Sequence, residues 1–256
     1  MTRYVLQFVC AILLAAPAGM GGPIAYVAGV SGQWGEVDLS SGAFTDLGTS
    51  GAVLNGMVEM PDGQYLGYDV NNNLDSIDPA DGALTLIGSG GVTLDAIAVL
   101  SNGALYGVSR NTADLYSINP ATGATTVIGA TGLGTGGGDD SFTSDGTNLY
   151  FTYEMGSDPA GLYLVNAATG DASLIGMSGG PEFEGSGFIG GAVYGFGSDN
   201  NIYTVNTGTG AATLSAALSS SLSGVNAAAP VDTLEPSTVG LLSLGLTAMF
   251  WQKQRC

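Results

Sequence analysis

A turn that ends in glycine recurs at nearly equal intervals along the chain. It appears as Ser41-Gly42, Asp81-Gly82, Thr122-Gly123, Thr169-Gly170 and Thr209-Gly210, with 40, 41, 47 and 40 residues between successive glycines. A strand-like segment precedes each turn: Gly35-Glu36-Val37-Asp38, Asp75-Ser76-Ile77-Asp78, Tyr116-Ser117-Ile118-Asn119, Tyr163-Leu164-Val165-Asn166 and Tyr203-Thr204-Val205-Asn206. A second segment follows, ending in Leu47-Gly48, Ile87-Gly88, Ile128-Gly129 or Ile175-Gly176. A chain with this self-similarity folds as a series of like units. One such unit cannot bury its apolar face alone and must pack on its neighbours.

The unit is clearest between Leu94 and Gly132. It predicts four short strands, at 94–100, 104–109, 115–119 and 125–130, each rich in β-branched, aromatic or alternating apolar residues. Asn102-Gly103 reads as a tight hairpin turn, and Asn119-Pro120-Ala121-Thr122-Gly123 as a longer one. Four strands per period of about 40–45 residues predict propeller blades; an open array or β-solenoid of equal period is the rival architecture. The first repeat lacks its first strand, because residues 24–30 already match a second strand. Leu222-Ser223-Gly224-Val225 aligns with Leu54-Asn55-Gly56-Met57 and Leu94-Asp95-Ala96-Ile97. The expectation is an all-β, five-bladed propeller over residues 24–231. Its blades are four-stranded and antiparallel, the first completed by the C-terminal strand, so that closure hides edges open to other chains.

The chain contains no His and only four basic residues, Arg3, Arg110, Lys253 and Arg255. Two of its 22 acidic residues, Asp232 and Glu235, lie beyond residue 231, which leaves 20 in the predicted propeller against Arg110 alone. A surface of that sign excludes nucleic acid and anionic membrane as partners, since both require cationic contacts. Its plain consequence is solubility through self-repulsion, and the sharper alternative is attraction of cations. The two cysteines, Cys10 and Cys256, lie outside the propeller, which therefore carries neither thiol nor disulfide.

Both ends read as address labels. Residues 1–18 have a positive start at Arg3, an apolar run and the small residues of Ala16-Pro17-Ala18, the order of a secretory signal peptide. Residues 232–256 hold Leu234-Glu235-Pro236-Ser237-Thr238, an apolar run over 239–251, and Lys253 and Arg255. Thirteen residues rise only about 20 Å as a helix, a marginal span of a hydrocarbon core about 30 Å thick. The basic end would stay on the cytoplasmic side.

This tail resembles the PEP-CTERM sorting signal of Gram-negative bacteria. Glu235 and Pro236 match the second and third motif positions, Ser237 and Thr238 the common following pair, and Leu241-Leu242-Ser243-Leu244-Gly245-Leu246 the small-and-leucine segment. Leu234 stands where the first proline of the motif belongs. The resemblance implies processing by an exosortase-type integral membrane peptidase after transient anchoring in the inner membrane. It also implies delivery to the cell envelope or beyond, where such proteins are tied to exopolysaccharide and biofilm matrix.

The residue types present restrict the chemistry. Without His, Cys or Lys, the propeller has no Ser-His-Asp arrangement, no thiol nucleophile and no Schiff-base lysine. Carboxylates, amides, hydroxyls and Arg110 remain. The loops that would rim one end of a central channel carry Arg110 and the carboxylates Asp69, Asp114, Asp139, Asp140, Glu154, Asp158, Glu182, Glu184 and Asp199. No cofactor is expected unless it is Ca²⁺, which such hard oxygens could hold, with Asp139 and Asp140 as the best pair. The opposing reading is that these are solvated turn residues. Gly132-Leu133-Gly134-Thr135-Gly136-Gly137-Gly138 has no following helix signal and reads as a connector, not a phosphate loop. Tyr106, Tyr116, Tyr150, Tyr163, Tyr194 and Tyr203 recur at equivalent positions and read as packing between sheets. Trp34 is the aromatic expected to stack on glycan, and Arg110, Glu182 and Glu184 are the expected ligand contacts, with Arg110 balancing Asp114 at a surface turn as the preferred other reading of that residue. The leading expectation is an exported, non-enzymatic repeat protein of surface or matrix that recognises or scaffolds. The alternatives are a Ca²⁺-dependent propeller enzyme, lactonase- or lyase-like, and a carbohydrate-binding module.

Overall fold

The computed structural model describes residues 22–136, 140–153 and 161–231. The signal segment, Asp139 and the whole sorting tail, including Glu235, Pro236, Ser237 and Thr238, lie outside the described residues. Twenty strands form five four-stranded antiparallel sheets. Blade 1 is β20 (Val225–Pro230), β1 (Ile24–Gly29), β2 (Gln33–Asp38) and β3 (Phe44–Thr49). Blade 2 runs from β4 (Leu54–Glu59) through β5 (Tyr65–Asp69) and β6 (Asn73–Ile77) to β7 (Leu84–Ser89). Blade 3 holds β8 (Ala96–Val99), β9 (Leu105–Ser109), β10 (Asp114–Ile118) and β11 (Thr125–Ala130). Blade 4 holds β12 (Ser141–Ser144), β13 (Leu149–Tyr153), β14 (Gly161–Val165) and β15 (Ala172–Met177). Blade 5 holds β16 (Phe183–Ile189), β17 (Ala192–Gly197), β18 (Asn201–Val205) and β19 (Ala212–Ala217). The first strands of the blades, β20, β4, β8, β12 and β16, neighbour one another around a central channel. The architecture is the five-bladed propeller that the repeat predicts.

Two repeated motifs explain the local geometry. In every blade the Asp or Asn before the long turn caps it. Asp38, Asp78, Asn119, Asn166 and Asn206 each accept, through Oδ1, the backbone N–H two residues on, at 2.9 Å. Their carbonyls accept the N–H of the turn glycine, as from Gly123 to Asn119 at 2.8 Å, with Gly123 at φ 72°. The Ile-Gly motif is a β-bulge. Leu115 faces Gly129 and Tyr116 faces Val127, so Ile128 is the extra residue, and the same shift recurs in all five outer hairpins.

The two glycines meet across blades. A Cβ on Gly88, Gly129 or Gly176 would strike the carbonyl oxygen of Thr122, Thr169 or Thr209 in the next blade's turn. A Cβ on Gly123, Gly170 or Gly210 would strike the bulge glycine in return. The periodic glycines are therefore close-approach points between neighbouring sheets, not only turn formers. Five apolar clusters fill the five joints, one between each pair of blades.

Ring closure is between β20 and β1, with Ala25 opposite Pro230 and Val27 opposite Ala228. The closing strand begins three residues later than the alignment on Leu222 predicts. Val225, not Leu222, occupies the position of Leu54, and Leu222 is a buried loop residue in the joint of blades 5 and 1. Val225-Asn226-Ala227-Ala228-Ala229-Pro230 carries a weak strand signal, whereas Leu222-Ser223-Gly224 imitates Leu54-Asn55-Gly56 by composition. Among the described residues no helix is long and apolar enough to cross a membrane. The expected membrane segment of the tail lies outside them.

Candidate functional site

The channel has three sections, set by register along the five inner strands. At one end each blade contributes one polar side chain from the start of its inner strand: Asn55, Asp95, Asp140, Glu184 and Asn226. Arg110 reaches over them from the turn after β9, and the six line a cavity of about 90 Å³. Next comes a throat of small residues, among them Gly56, Ala96, Ser141, Gly185 and Ala227, with Met57, Ile97 and Phe142 below. Its cavity is about 10 Å³, the space of a single water-sized sphere. Small residues are required there because the strands converge. A Cβ on Gly56 would lie 2.6 Å from the Ile97 nitrogen, and one on Gly185 would lie 2.6 Å from the Val225 carbonyl oxygen. Beyond the throat the channel opens into a vestibule of about 600 Å³.

The polar mouth is held by hydrogen bonds and charge. Arg110 donates its backbone N–H to Asp95 Oδ2 at 2.6 Å, and its Nε lies 3.0 Å from Asp95 Oδ1. The same Nε is 3.6 Å from Oδ2 of Asp140, whose side chain is fully buried. Asn55 donates Nδ2 to the Leu94 carbonyl at 2.9 Å, tying blade 2 to blade 3. Glu184 lies against Gly224, where a Cβ would come within 2.6 Å of its Oε2. Three carboxylates against one guanidinium leave a net negative mouth with amide and guanidinium donors set among carboxylate acceptors. Such a rim can bind a polyhydroxylated or cationic group through several hydrogen bonds.

The expected site residues divide. Arg110, Asp140 and Glu184 meet at this mouth, as rim residues of one channel end. Asp95, Asn55 and Asn226 complete the set and were missed; their signal was the shared offset from the start of each inner strand. Glu182 is not among the mouth-lining residues, and its carbonyl accepts the Ser198 N–H. Asp140 is turned to Arg110, while Asp139 lies outside the described residues. Among the described residues no three Asp, Glu, His or Cys side chains are grouped to hold a metal ion. Trp34 departs from expectation. It is part of β2 and fully buried between blades 1 and 2, stacked on Tyr26 at 5.3 Å and donating Nε1 to the Pro79 carbonyl at 3.1 Å. No face of its ring is open to a sugar. The recurrent tyrosines pack between sheets as expected, with Tyr150, Tyr163 and Tyr194 buried. Tyr203 donates its hydroxyl to Asp199 at 2.7 Å, which with burial and that negative charge raises the phenol above its usual range.

One carboxylate outside the channel is unusual. Asp75 on β6 is buried, and its Oδ2 has no hydrogen-bond partner among the described residues. Burial, with the Asp69 charge second, pushes its carboxyl up to about 6. Asp69 itself accepts from the backbone and side-chain nitrogens of Asn71 and Asn73. Asp75 stands where blades 3, 4 and 5 carry Tyr116, Tyr163 and Tyr203.

No protein-family model matches the chain, and no curated protein matches it. Solved structures do. A chain from the crystal structure of a nidogen/laminin complex superposes with a TM-score of 0.57 at 10% identity, covering 81% of this chain and 97% of that one. A structural-genomics protein of unknown function from Bacteroides thetaiotaomicron gives a TM-score of 0.45 at 17% identity, over 74% of this chain and 49% of that one. The first likeness supports the fold and nothing finer; the second carries no argument. What the chain shares with known proteins is the β-propeller architecture.

Proposed function

We propose that this chain is an exported, non-enzymatic propeller of the cell surface or extracellular matrix, acting by recognition or scaffolding. In this reading the signal peptide is removed on export. The tail at Glu235-Pro236-Ser237-Thr238 is then processed by an exosortase-type peptidase after transient anchoring in the inner membrane. One observation carries the reading. Ala25 and Pro230 are paired on β1 and β20, so the described chain begins and ends at the vestibule end of one blade, which suits two terminal segments read as targeting signals. The polar mouth at the opposite end then faces away from the membrane, free to meet a partner.

The mixed rim of two amides, three carboxylates and a guanidinium favours one narrower reading, a carbohydrate-binding module for matrix polysaccharide. Hydroxyl-rich ligands use donors and acceptors together. Fractionation of the native host with intact-mass measurement tests the main reading. The expected result is a surface or medium form lacking both end segments; full-length chain confined to the soluble interior would overturn it. Glycan-array binding lost in Asp95→Asn and Glu184→Gln variants tests the narrower one.

A further inference from the structure

The vestibule has a chemistry unlike that of the mouth. Its floor is apolar, made by Met57, Ile97 and Phe142, with Phe188 on the wall. Its rim carries Glu59, Asp62 and Asp145 and no basic residue. Arg110, the only cation between residues 22 and 231, sits beyond the throat among its own carboxylates. Asp145 is a fixed anion. It accepts the N–H groups of Thr147 and Asn148, Asn148 Nδ2 and the Tyr150 hydroxyl at 2.7–3.0 Å. Burial alone would raise its carboxyl, but those bonds outweigh it and hold it below the usual range.

The geometry points to a second binding site in this vestibule, for a small organic cation with an apolar body, such as a substituted ammonium. An apolar floor gains from covering the body of such a ligand. An acidic rim and an aromatic wall gain from its charge, and a neutral or anionic analogue forfeits that part. The cavity, about 600 Å³, lies within the range of small-molecule sites. The closed throat keeps Arg110 from reaching in. This site does not depend on the export reading or on the polar mouth.

The test uses the purified full-length chain and three probes of one shape: benzyltrimethylammonium, benzyl alcohol and benzoate. Calorimetry or chemical-shift titration at low salt should rank the cation about tenfold tighter than the alcohol, with benzoate weakest. Added salt should narrow the gap. The Glu59→Gln/Asp62→Asn double variant should lose most of the cation preference, as should Phe188→Ala if its melting curve stays cooperative. Asp46→Asn, on the outer strand β3, removes a charge elsewhere and should change nothing. Equal binding of all three probes overturns the proposal. So does an absence of saturable cation binding, or a tetralysine peptide that binds tighter and is not displaced by the cation.

Discussion

The two ends of the channel are built from the same five strands and have opposite characters. At the mouth the one cation lies among the carboxylates: Arg110 is 3.0 Å from Asp95 and 3.6 Å from Asp140, and Asn55 donates to a neighbouring backbone carbonyl. At the vestibule, acidic side chains rim a floor of apolar ones with no cation between them. The difference comes from two or three residues of travel along β4, β8 and β12, where Asn55-Gly56-Met57, Asp95-Ala96-Ile97 and Asp140-Ser141-Phe142 pass from polar through small to large apolar. It teaches that in a ring of near-identical blades, function resides where the repeats differ from one another.

The largest expected effect falls at the mouth. Arg110→Ala leaves Asp140 buried without its counter-charge. It should cost about 2–3 kcal/mol in urea unfolding at neutral pH, below the usual 3–5 because Arg110 is 26% exposed. A loss that Arg110→Met largely restores would mean that packing of the side-chain stem, not charge, holds this end. The throat comes next. Gly56→Ala or Gly185→Ala should cost about 1–3 kcal/mol each, since the added carbon meets the next strand's backbone. No loss would mean that the inner strands can separate and that the two ends are not isolated.

Asp75 sharpens the contrast from outside the channel. Its folded-state value is raised, so it remains protonated in the fold at a pH where the unfolded chain has already ionised it. Its contribution to stability therefore falls as pH rises from about 4 to 6 and stays lost above. Asp75→Asn should raise the melting temperature at pH 7 by about 2–4 °C for each kcal/mol regained, and by little at pH 4. An equal gain at both pH values would refute the charge account. The smallest effect belongs to the vestibule rim: Glu59→Gln with Asp62→Asn should alter stability by less than about 0.5 kcal/mol. A large loss there would erase the distinction between an end whose carboxylates surround a cation and one whose carboxylates do not.

Much of the ring was legible in advance. The Asp/Asn–glycine turns, the Ile-Gly bulges and the four-strand period are local, and each recurs with the same backbone need, so pattern alone exposes them. Arg110, Asp140 and Glu184 were placed on one rim for the same reason, but so were Asp69, Asp114, Glu182 and Asp199, which do not line the mouth. Trp34 was misplaced because its neighbours, Gly32, Gly35 and Gln33, look like a turn, while its burial depends on Gly82 in the following blade. The closing strand was misaligned by three residues because an alanine run gains its strand character only by pairing with β1.

The order of residues along the chain thus settles how many blades exist, where each turns and which residue types are on hand, since short-range backbone preferences dictate these. It cannot settle which side chains face each other across the channel, how far the throat narrows or whether a carboxylate lies beside a guanidinium. Those depend on distances between segments 40 or more residues apart, and only packing the blades into a closed ring sets them.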